Sequence, residues 1–394
     1  MIQHVLSSRR PLQVLIVALY AVALVARRVR PSKKTFPQHV VHVSPAYFDE
    51  QSYVGGGERG AMSLAEVMSR DTDTCFVSFD TGRRRFKQGS LNVEIYPMRG
   101  TVDGTTASPI SYAFLRELLR ADVVHCHQFQ TPTIQLTILA AVILRKRVFV
   151  TDHAAIVTSF TNRLPISRLV DGYLAESTFT LRVLPPFPAV RMIYGGVSER
   201  FLDADDRADA PRERTVLFVG RLVAHKGVNY LIEAVGDDIP LDVIGRPYDE
   251  RYYALLQSLA RGKKVRFITD ASDEDIIAAY DRAAVTVLPS VYDDVLGNHH
   301  VAPELLGLTL VESMARGTPV ICTDVGGMPE YVADGVTGFV VPPNSPTALR
   351  ARIDYLLQNP AEARAIGRRA RRRALEEFTW DAAAGRALAA YQDL

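Results

Sequence analysis

Cysteine is scarce in this 394-residue chain: Cys75, Cys126 and Cys322 are the three present, each in an apolar, strand-like stretch. An odd, sparse set without metal or redox spacing excludes a secreted disulfide framework and suits a reducing compartment, with the thiols acting as small buried hydrophobes. Charge of one sign is lacking too. Lys and Arg number 46 against 44 Asp and Glu, a formal net +2, which is too even for a dedicated nucleic-acid binder. The apolar run Leu12–Ala26, interrupted by Gln13, spans ~22 Å of helix and falls short of a ~30 Å hydrocarbon core. No short-period repeat is present. What is there is a core: 47% of residues are apolar and 23% charged, which excludes disorder, collagen and coiled coil. At ~150 residues per domain the length suits two or three domains.

The even balance hides an asymmetry. Residues 1–37 hold seven basic groups (Arg9, Arg10, Arg27, Arg28, Arg30, Lys33, Lys34) and no acid, which leaves the rest of the chain at about −5. Three readings of this segment stand side by side. One is a helix on an anionic membrane surface, with the cluster from Arg27 to Lys34 held at about 1 kcal/mol per basic residue. Another is a helix packed on the protein body, or a mis-chosen start. The third is a secretory signal, which the basic flank after the run and the lack of a clean small-x-small site disfavour. The expectation is a membrane-associating segment over 1–37 on a cytoplasmic protein, peripheral or anchored on the inner face of the membrane.

From residue 38 short β-rich runs alternate with amphipathic stretches: Gln38–Ser44, Cys75–Phe79, Asn92–Tyr96, Val123–His127, Val148–Thr151, Tyr173–Ala175 and Arg191–Ile193, with helical periods at Gly60–Arg70, Ile110–Leu119 and Thr133–Leu144. This pattern predicts βαβ units and a parallel sheet. A polar, aperiodic stretch at 203–214 reads as a linker. The alternation restarts at Thr215–Val219, Leu241–Ile244, Val265–Ile268, Val285–Leu288, Val320–Thr323 and Gly338–Val340. The expected organisation is one α/β domain over 38–202, a second over 215–376 and a final helical segment over 377–394. Ligands of open parallel sheets bind beyond the carboxyl ends of the strands, so two such sheets point to a site in a cleft between them.

The unusual residues stand in loops after strands. Val219-Gly-Arg-Leu-Val-Ala-His-Lys-Gly227 puts Arg221 and Lys226 between glycines, before the amphipathic helix Val228–Val235; loop amides, helix dipole and two cations favour an anion there. Glu304 and Glu312 lie eight residues apart around Leu306, Gly307, Leu308 and Thr309. A helix beginning at Leu308 turns both acids to one site, and the amides of Gly307–Thr309 toward an anion. A carboxylate in so apolar a stretch needs partners, and sugar hydroxyls suit it. Asp324–Glu330 reads as turn chemistry. Gly55, Gly56, Gly57 and Gly60, with Asp80 further on, match a dinucleotide fingerprint on paper, but they follow the strand too late for its tight turn. A glycine loop approaching a diphosphate or sugar fits the same residues. His125 reads as a core histidine, His153 as a site residue, and His299-His300 as solvent-facing. No spacing resembles a zinc site, and no metal is expected.

Phe-Val-Gly-Arg-Leu-Val-x-x-Lys-Gly, Glu-x7-Glu, and Gly-Thr-Pro-Val-Ile-x-Thr-Asp-Val-Gly-Gly-x-Pro-Glu together resemble the group 1 (family 4) retaining glycosyltransferases of GT-B fold. The resemblance covers 38–394 and is specific in the second half. It implies two Rossmann-like doubly wound α/β domains facing across a cleft, the last helix crossing back onto the first. It implies that Arg221 and Lys226 hold the diphosphate of a UDP- or GDP-sugar donor without a metal, that Glu304 binds donor-sugar hydroxyls and Glu312 the ribose, and that the amides of Leu306–Thr309 lie near phosphate. It also implies that Gly55–Gly57 close over the donor and that His153 stands near the reacting sugar. The nucleotide sugar is then substrate, with no true cofactor. The basic extension lies outside the family pattern and points to a lipid-linked or polysaccharide acceptor at a membrane. The stretch from Pro289 to Glu304 is longer than the pattern. Rival readings are a nicotinamide oxidoreductase or epimerase-type Rossmann enzyme, resting on Gly55, Gly57, Gly60 and Asp80, and a catalytically silent partner subunit.

Overall fold

A computed structural model describes residues 9–28, 36–45, 56–101, 109–153, 164–202 and 211–394. The chain divides into two compact units, 1–194 with 380–394, and 195–379.

The first unit runs α1 (Arg9–Arg28), β1 (His39–Val43), α2 (Gly56–Met68), β2 (Asp73–Asp80), β3 (Arg84–Gln88), β4 (Leu91–Pro97), the short pair β5 (Gly100–Thr101) and β6 (Pro109–Ile110), a 3-10 turn at Ala113–Leu119, β7 (Val123–His127), α3 (Pro132–Ile143), β8 (Arg147–Thr151), β9 (Gly172–Ala175), α4 (Thr180–Val183) and β10 (Val190–Met192). Its main sheet has the order β10-β9-β8-β7-β1-β2-β4-β3. All pairs are parallel except the edge strand β3 against β4. The strands β1, β2, β7 and β8 read as near-continuous apolar runs because both faces are covered. Helix α3 has no charged residue and is buried on nearly every side despite Thr133, Gln135 and Thr137: it lies on the sheet and also receives Ile16, Leu19, Tyr20 and Ala23 of α1. The 3-10 turn replaces the regular helix expected over Ile110–Leu119.

The second unit runs β11 (Glu213–Val219), α5 (Val228–Val235), β12 (Leu241–Ile244), α6 (Glu250–Leu259), β13 (Val265–Ile268), α7 (Asp273–Arg282), β14 (Ala283–Leu288), α8 (Leu308–Ala315), β15 (Val320–Thr323), α9 (Met328–Tyr331), β16 (Gly338–Val341), α10 (Pro346–Gln358) and α11 (Pro360–Glu377). Its parallel sheet has the order β13-β12-β11-β14-β15-β16, the doubly wound order whose reversal point lies between the first and fourth strands. The first unit repeats that logic, reversing between β1 and β7. Within 203–214, residues 203–210 lie outside the described residues. The remainder is not linker-like: Arg212 donates to the carbonyls of Tyr280, Asp281 and Ala283 and to Thr318 Oγ1, and β11 already starts at Glu213.

The last helix, α12 (Trp380–Asp393), belongs to the first unit. Trp380, Ala383, Ala384, Ala387, Leu388 and Tyr391 recur at helical spacing and pack on Val40, Val123, Phe149 and Leu174 of the sheet.

Candidate functional site

In the second unit the loops after β11 and β14 meet at the strand-order reversal, where parallel sheets place ligands. Lys226 sits in the 3-10 turn Ala224–Lys226 and its Nζ donates to Glu304 Oε1. Ser290, just past β14, donates to the same oxygen at 2.7 Å. The side chains of Lys226 and Glu304 are 14% and 7% exposed. Burial pushes the Glu304 carboxyl up, but the ammonium and the Ser290 hydroxyl more than offset it and hold it below the ordinary carboxylate value. His225 is driven down to about 4, first by burial and then by Lys226, so it is neutral.

Two glycines make this arrangement possible. A Cβ on Gly227, at φ +67°, would stand 2.1 Å from the Pro289 carbonyl oxygen; one on Gly326, at φ +61°, would stand 1.8 Å from the Glu304 carbonyl oxygen. Only the residue without a side chain lets these backbones approach. The Gly327 N–H donates to the Glu304 carbonyl at 3.1 Å, and the Gly326 N–H to the Tyr292 hydroxyl at 2.9 Å. The stretch Asp324–Glu330, expected to be turn chemistry alone, therefore also grips the backbone of Glu304.

Gly307 precedes α8 in a left-handed conformation, Leu308 and Thr309 open the helix, and Glu312 follows in its second turn. Leu306 and Gly307 are buried beside Glu304. Glu312 Oε2 accepts from the buried Tyr280 hydroxyl at 2.9 Å. Arg221 is exposed, its guanidinium carbon 5.7 Å from the centroid of the Tyr248 ring; it shares the loop of Lys226 but not the buried contact. His299 is exposed as expected, whereas His300 is half-buried. It bonds Asp294 Oδ2 at 2.8 Å and packs on His225 with centroids 4.8 Å apart. Burial pushes Asp294 up, yet bonds from His300, Asn298 and the Leu296 N–H outweigh it and hold the carboxyl at about 2.

In the first unit Gly55 lies outside the described residues. Gly56 and Gly57 are the opening residues of α2 rather than a free loop, and Gly60 packs inside the helix against Trp380 and His153. Asp80 accepts from the Thr81 N–H at 2.6 Å and pairs with Arg84. The dinucleotide fingerprint thus lacks its turn directly after a strand. His153 lies two residues past β8 with both ring nitrogens engaged: Nε2 with His127 Nδ1 and Nδ1 with Glu176 Oε2, each at 2.9 Å. Sequence reasoning passed over Ser290, Tyr280, His42, Glu176 and Tyr391. An acid directly after a strand, as in Ala175-Glu176-Ser177, was the available signal for one of them.

Both sheets define the class: a pair of doubly wound units, the second with Lys226 paired to Glu304 at its crossover. Solved structures share it. Sucrose-phosphate synthase from Thermosynechococcus elongatus superposes with TM-score 0.64 at 22% identity, over 89% of this chain and 97% of that one. Anabaena HepE in complex with UDP and glucose superposes with TM-score 0.67 at 16% identity, over 91% and 100%. The fold is therefore GT-B. The model of the family described as Glycosyl transferases group 1 matches residues 202–373. The D-rhamnosyltransferase WbpZ of Pseudomonas aeruginosa is 34% identical over 170 residues, 42% of either chain. A D-inositol 3-phosphate glycosyltransferase of Streptomyces bingchenggensis is 32% identical over 219 residues, 50% of this chain and 46% of that one. The matched stretch spans about half the length of these curated relatives.

Proposed function

We propose that the protein is a retaining glycosyltransferase that moves a sugar from a nucleotide-diphosphate sugar to an acceptor hydroxyl. The observation that carries this reading is the Lys226–Glu304–Ser290 contact at the crossover of the second unit. A diphosphate reaching Lys226 competes with Glu304 for the ammonium. That exchange frees the carboxylate to accept from donor-sugar hydroxyls. Arg221 meets the same diphosphate from the exposed side of the loop, the amides of Leu306–Thr309 lie along it, and Glu312 takes the ribose. As the C1–O bond breaks, its electron pair leaves with the diphosphate. The acceptor oxygen bonds C1 from the departing face, and its proton goes to the leaving phosphate. Two fixed cations stabilise that leaving charge without calling on a metal. To the first unit we assign the acceptor side, with His153 beside the reacting sugar. WbpZ and HepE, by their names, handle rhamnose and UDP with glucose, which supports a nucleotide-sugar donor; that it is a UDP- or GDP-sugar is part of the proposal.

Replacing both Arg221 and Lys226 by Ala should lower transfer by ~10³-fold or more with the fold intact. Undiminished turnover in that double variant ends the proposal. Stabilisation by NAD, and not by any nucleoside diphosphate, would favour an oxidoreductase instead.

A membrane-bound acceptor, lipid-linked or polysaccharide, belongs to the same proposal because of α1. No helix among the described residues is long and apolar enough to cross a membrane. The inner side of α1 is docked, and Arg27 donates to the carbonyls of Leu169 and Val170. The outer side shows Val14, Val17, Val22, Leu24 and Val25 at 43–70% exposure. A bare apolar stripe ending at the exposed Arg28 suits the boundary of an anionic bilayer. Val17→Asp with Val25→Asp should abolish co-sedimentation with anionic vesicles and leave the melting temperature unchanged; retained binding removes the membrane from the proposal.

A further inference from the structure

Four histidines meet at the strand ends of the first unit, of which the proposal above uses one. His42 Nδ1 lies 3.0 Å from His127 Nε2, His127 Nδ1 lies 2.9 Å from His153 Nε2, and His153 Nδ1 lies 2.9 Å from Glu176 Oε2. The His42–His127 and His127–His153 ring centroids are 5.3 and 5.1 Å apart, with planes only 19° and 14° from parallel. With nitrogens this close, that spacing means rings joined edge to edge in a ribbon, not stacked faces, so each contact is an in-plane N–H···N bond.

A neutral imidazole has one N–H and one lone pair, so such a ribbon has a direction, set by whatever terminates it. An ionised carboxylate only accepts. His153 Nδ1 therefore carries the proton given to Glu176. In a neutral His153 the other nitrogen, Nε2, accepts from His127 Nδ1–H and His127 Nε2 from His42 Nδ1–H, whereas a cationic His153 would donate from both nitrogens and run the ribbon the other way. The lone pair left over falls on His42 Nε2, and among the described residues this buried atom has no hydrogen-bond partner. Burial holds His42 down at about 3 and His127 well below the usual range, so these links are neutral.

A metal fits less well. Ring nitrogens of His42, His125 and His127 lie within 4.8 Å of one another. Those of His127 are both spent on its neighbours, and those of His125 lie 2.8 Å from Thr151 Oγ1 and 2.7 Å from the Tyr391 hydroxyl. One open nitrogen remains where a zinc centre needs three or four protein ligands.

We infer that Glu176 is a positioning residue: through His153 and His127 it imposes one order of neutral tautomers as far as His42 and fixes the plane of the His153 ring. This is the carboxylate–imidazole pairing of catalytic and metal sites, extended by two further rings. Helix α2 borders the ring, since a Cβ at Gly60 would stand 3.5 Å from His153 Cε1 and Nδ1. The link to catalysis rests on the glycosyltransferase reading; the tautomer order does not.

The test is long-range nitrogen–proton correlation NMR on the full chain with labelled histidine, joined to transfer kinetics. The unaltered protein should show His42, His127 and His153 neutral and protonated on Nδ1. Glu176→Ala should scramble that order and lower kcat about tenfold or more, with the donor KM within about threefold. Glu176→Gln, whose Oε1 still accepts, should restore both. Cationic or Nε2-protonated rings in the unaltered protein overturn the inference without any variant having to fold. So does stoichiometric binding of Zn2+ or Co2+ that His42→Phe removes. Altered tautomers with unchanged kcat overturn the positioning role. The expected order in a protein that transfers no sugar to any acceptor upholds the tautomer assignment and sinks the function proposed above.

Discussion

In the second unit the polar residues at the strand-order reversal are charged, Lys226 against Glu304, and lie within reach of solvent. In the first unit the residues at the equivalent reversal are imidazoles, His42 and His127 fully buried and His153 almost so. The two places obey one rule from opposite sides. Charges survive burial only when each has a partner, whereas the sealed imidazoles His42 and His127 stay neutral with their bonds made to neighbouring rings. The difference also sorts them by use. An ion pair can trade one partner for an arriving anion, while imidazoles bonded to one another hold position.

Acid should break this comparison most strongly. His42, His125 and His127 are all shifted downward, chiefly by burial and then by one another and His153. They stay neutral in the folded unit and titrate near 6.5 when unfolded. Their contribution to stability is thus complete above pH ~6.5 and is lost as pH falls toward their folded values. Three such groups give a slope of roughly 4 kcal/mol per pH unit below pH ~6. In the second unit His225 behaves alike but is one group, and Glu304, shifted downward, keeps its stabilisation until pH falls below its unfolded value near 4.5. Calorimetry from pH 7 to 4.5 should show the first unit losing stability well before the second. Parallel loss in both would mean the imidazoles are not neutral in the fold.

How much of each region was legible in the sequence follows from how each is assembled. Arg221, Lys226, Glu304 and Glu312 stand in two contiguous motifs, and Gly307 before Leu308 announced where α8 begins. Most strands were visible as apolar runs. The edge strand β3 was not, because Arg84, Arg85, Phe86 and Lys87 are exposed and carry no alternation. Gly56 and Gly57 looked like loop and proved to be a helix start. The histidine ribbon was visible only in fragments: His125, His127 and His153 lay in motifs, but His42 meets His127 and Tyr391 meets His125 through sheet register and the docking of α12. Ser290 and Tyr280 likewise reach Glu304 and Glu312 from other elements. Chemistry carried by local spacing is readable; chemistry made by strand order is not.

Glu304→Ala sharpens the charged side of the comparison. It removes an acceptor proposed to hold donor-sugar hydroxyls and leaves Lys226 without its carboxylate. Transfer should fall by ~10²-fold, about 3 kcal/mol in the transition state. The bare nucleoside diphosphate should bind as well as before or tighter, since it no longer competes with the carboxylate for the ammonium. Steady-state kinetics beside titration calorimetry separate the two effects. Equal losses in transfer and in diphosphate affinity would show that Glu304 only shapes the pocket.

The smallest effect concerns the neutral side. Gly60 lies inside α2, where Ala in its place gains up to ~1 kcal/mol of helix propensity. The added Cβ would stand 3.1 Å from Trp380 Cη2, tighter than ordinary contact, and 3.5 Å from the His153 ring. Trp380 sits at the start of α12 and is slightly exposed, so it can yield by a few tenths of an ångström, while His153 is held by His127 and Glu176 and need not move. Gly60→Ala should therefore leave the melting temperature nearly unchanged, the two terms offsetting within ~1 kcal/mol, and leave the histidine tautomers as they were. A loss of several kcal/mol, or a change in the His153 signal, would mean that α2 is wedged against the ring itself and that the ribbon carries load from the helix rather than only from Glu176.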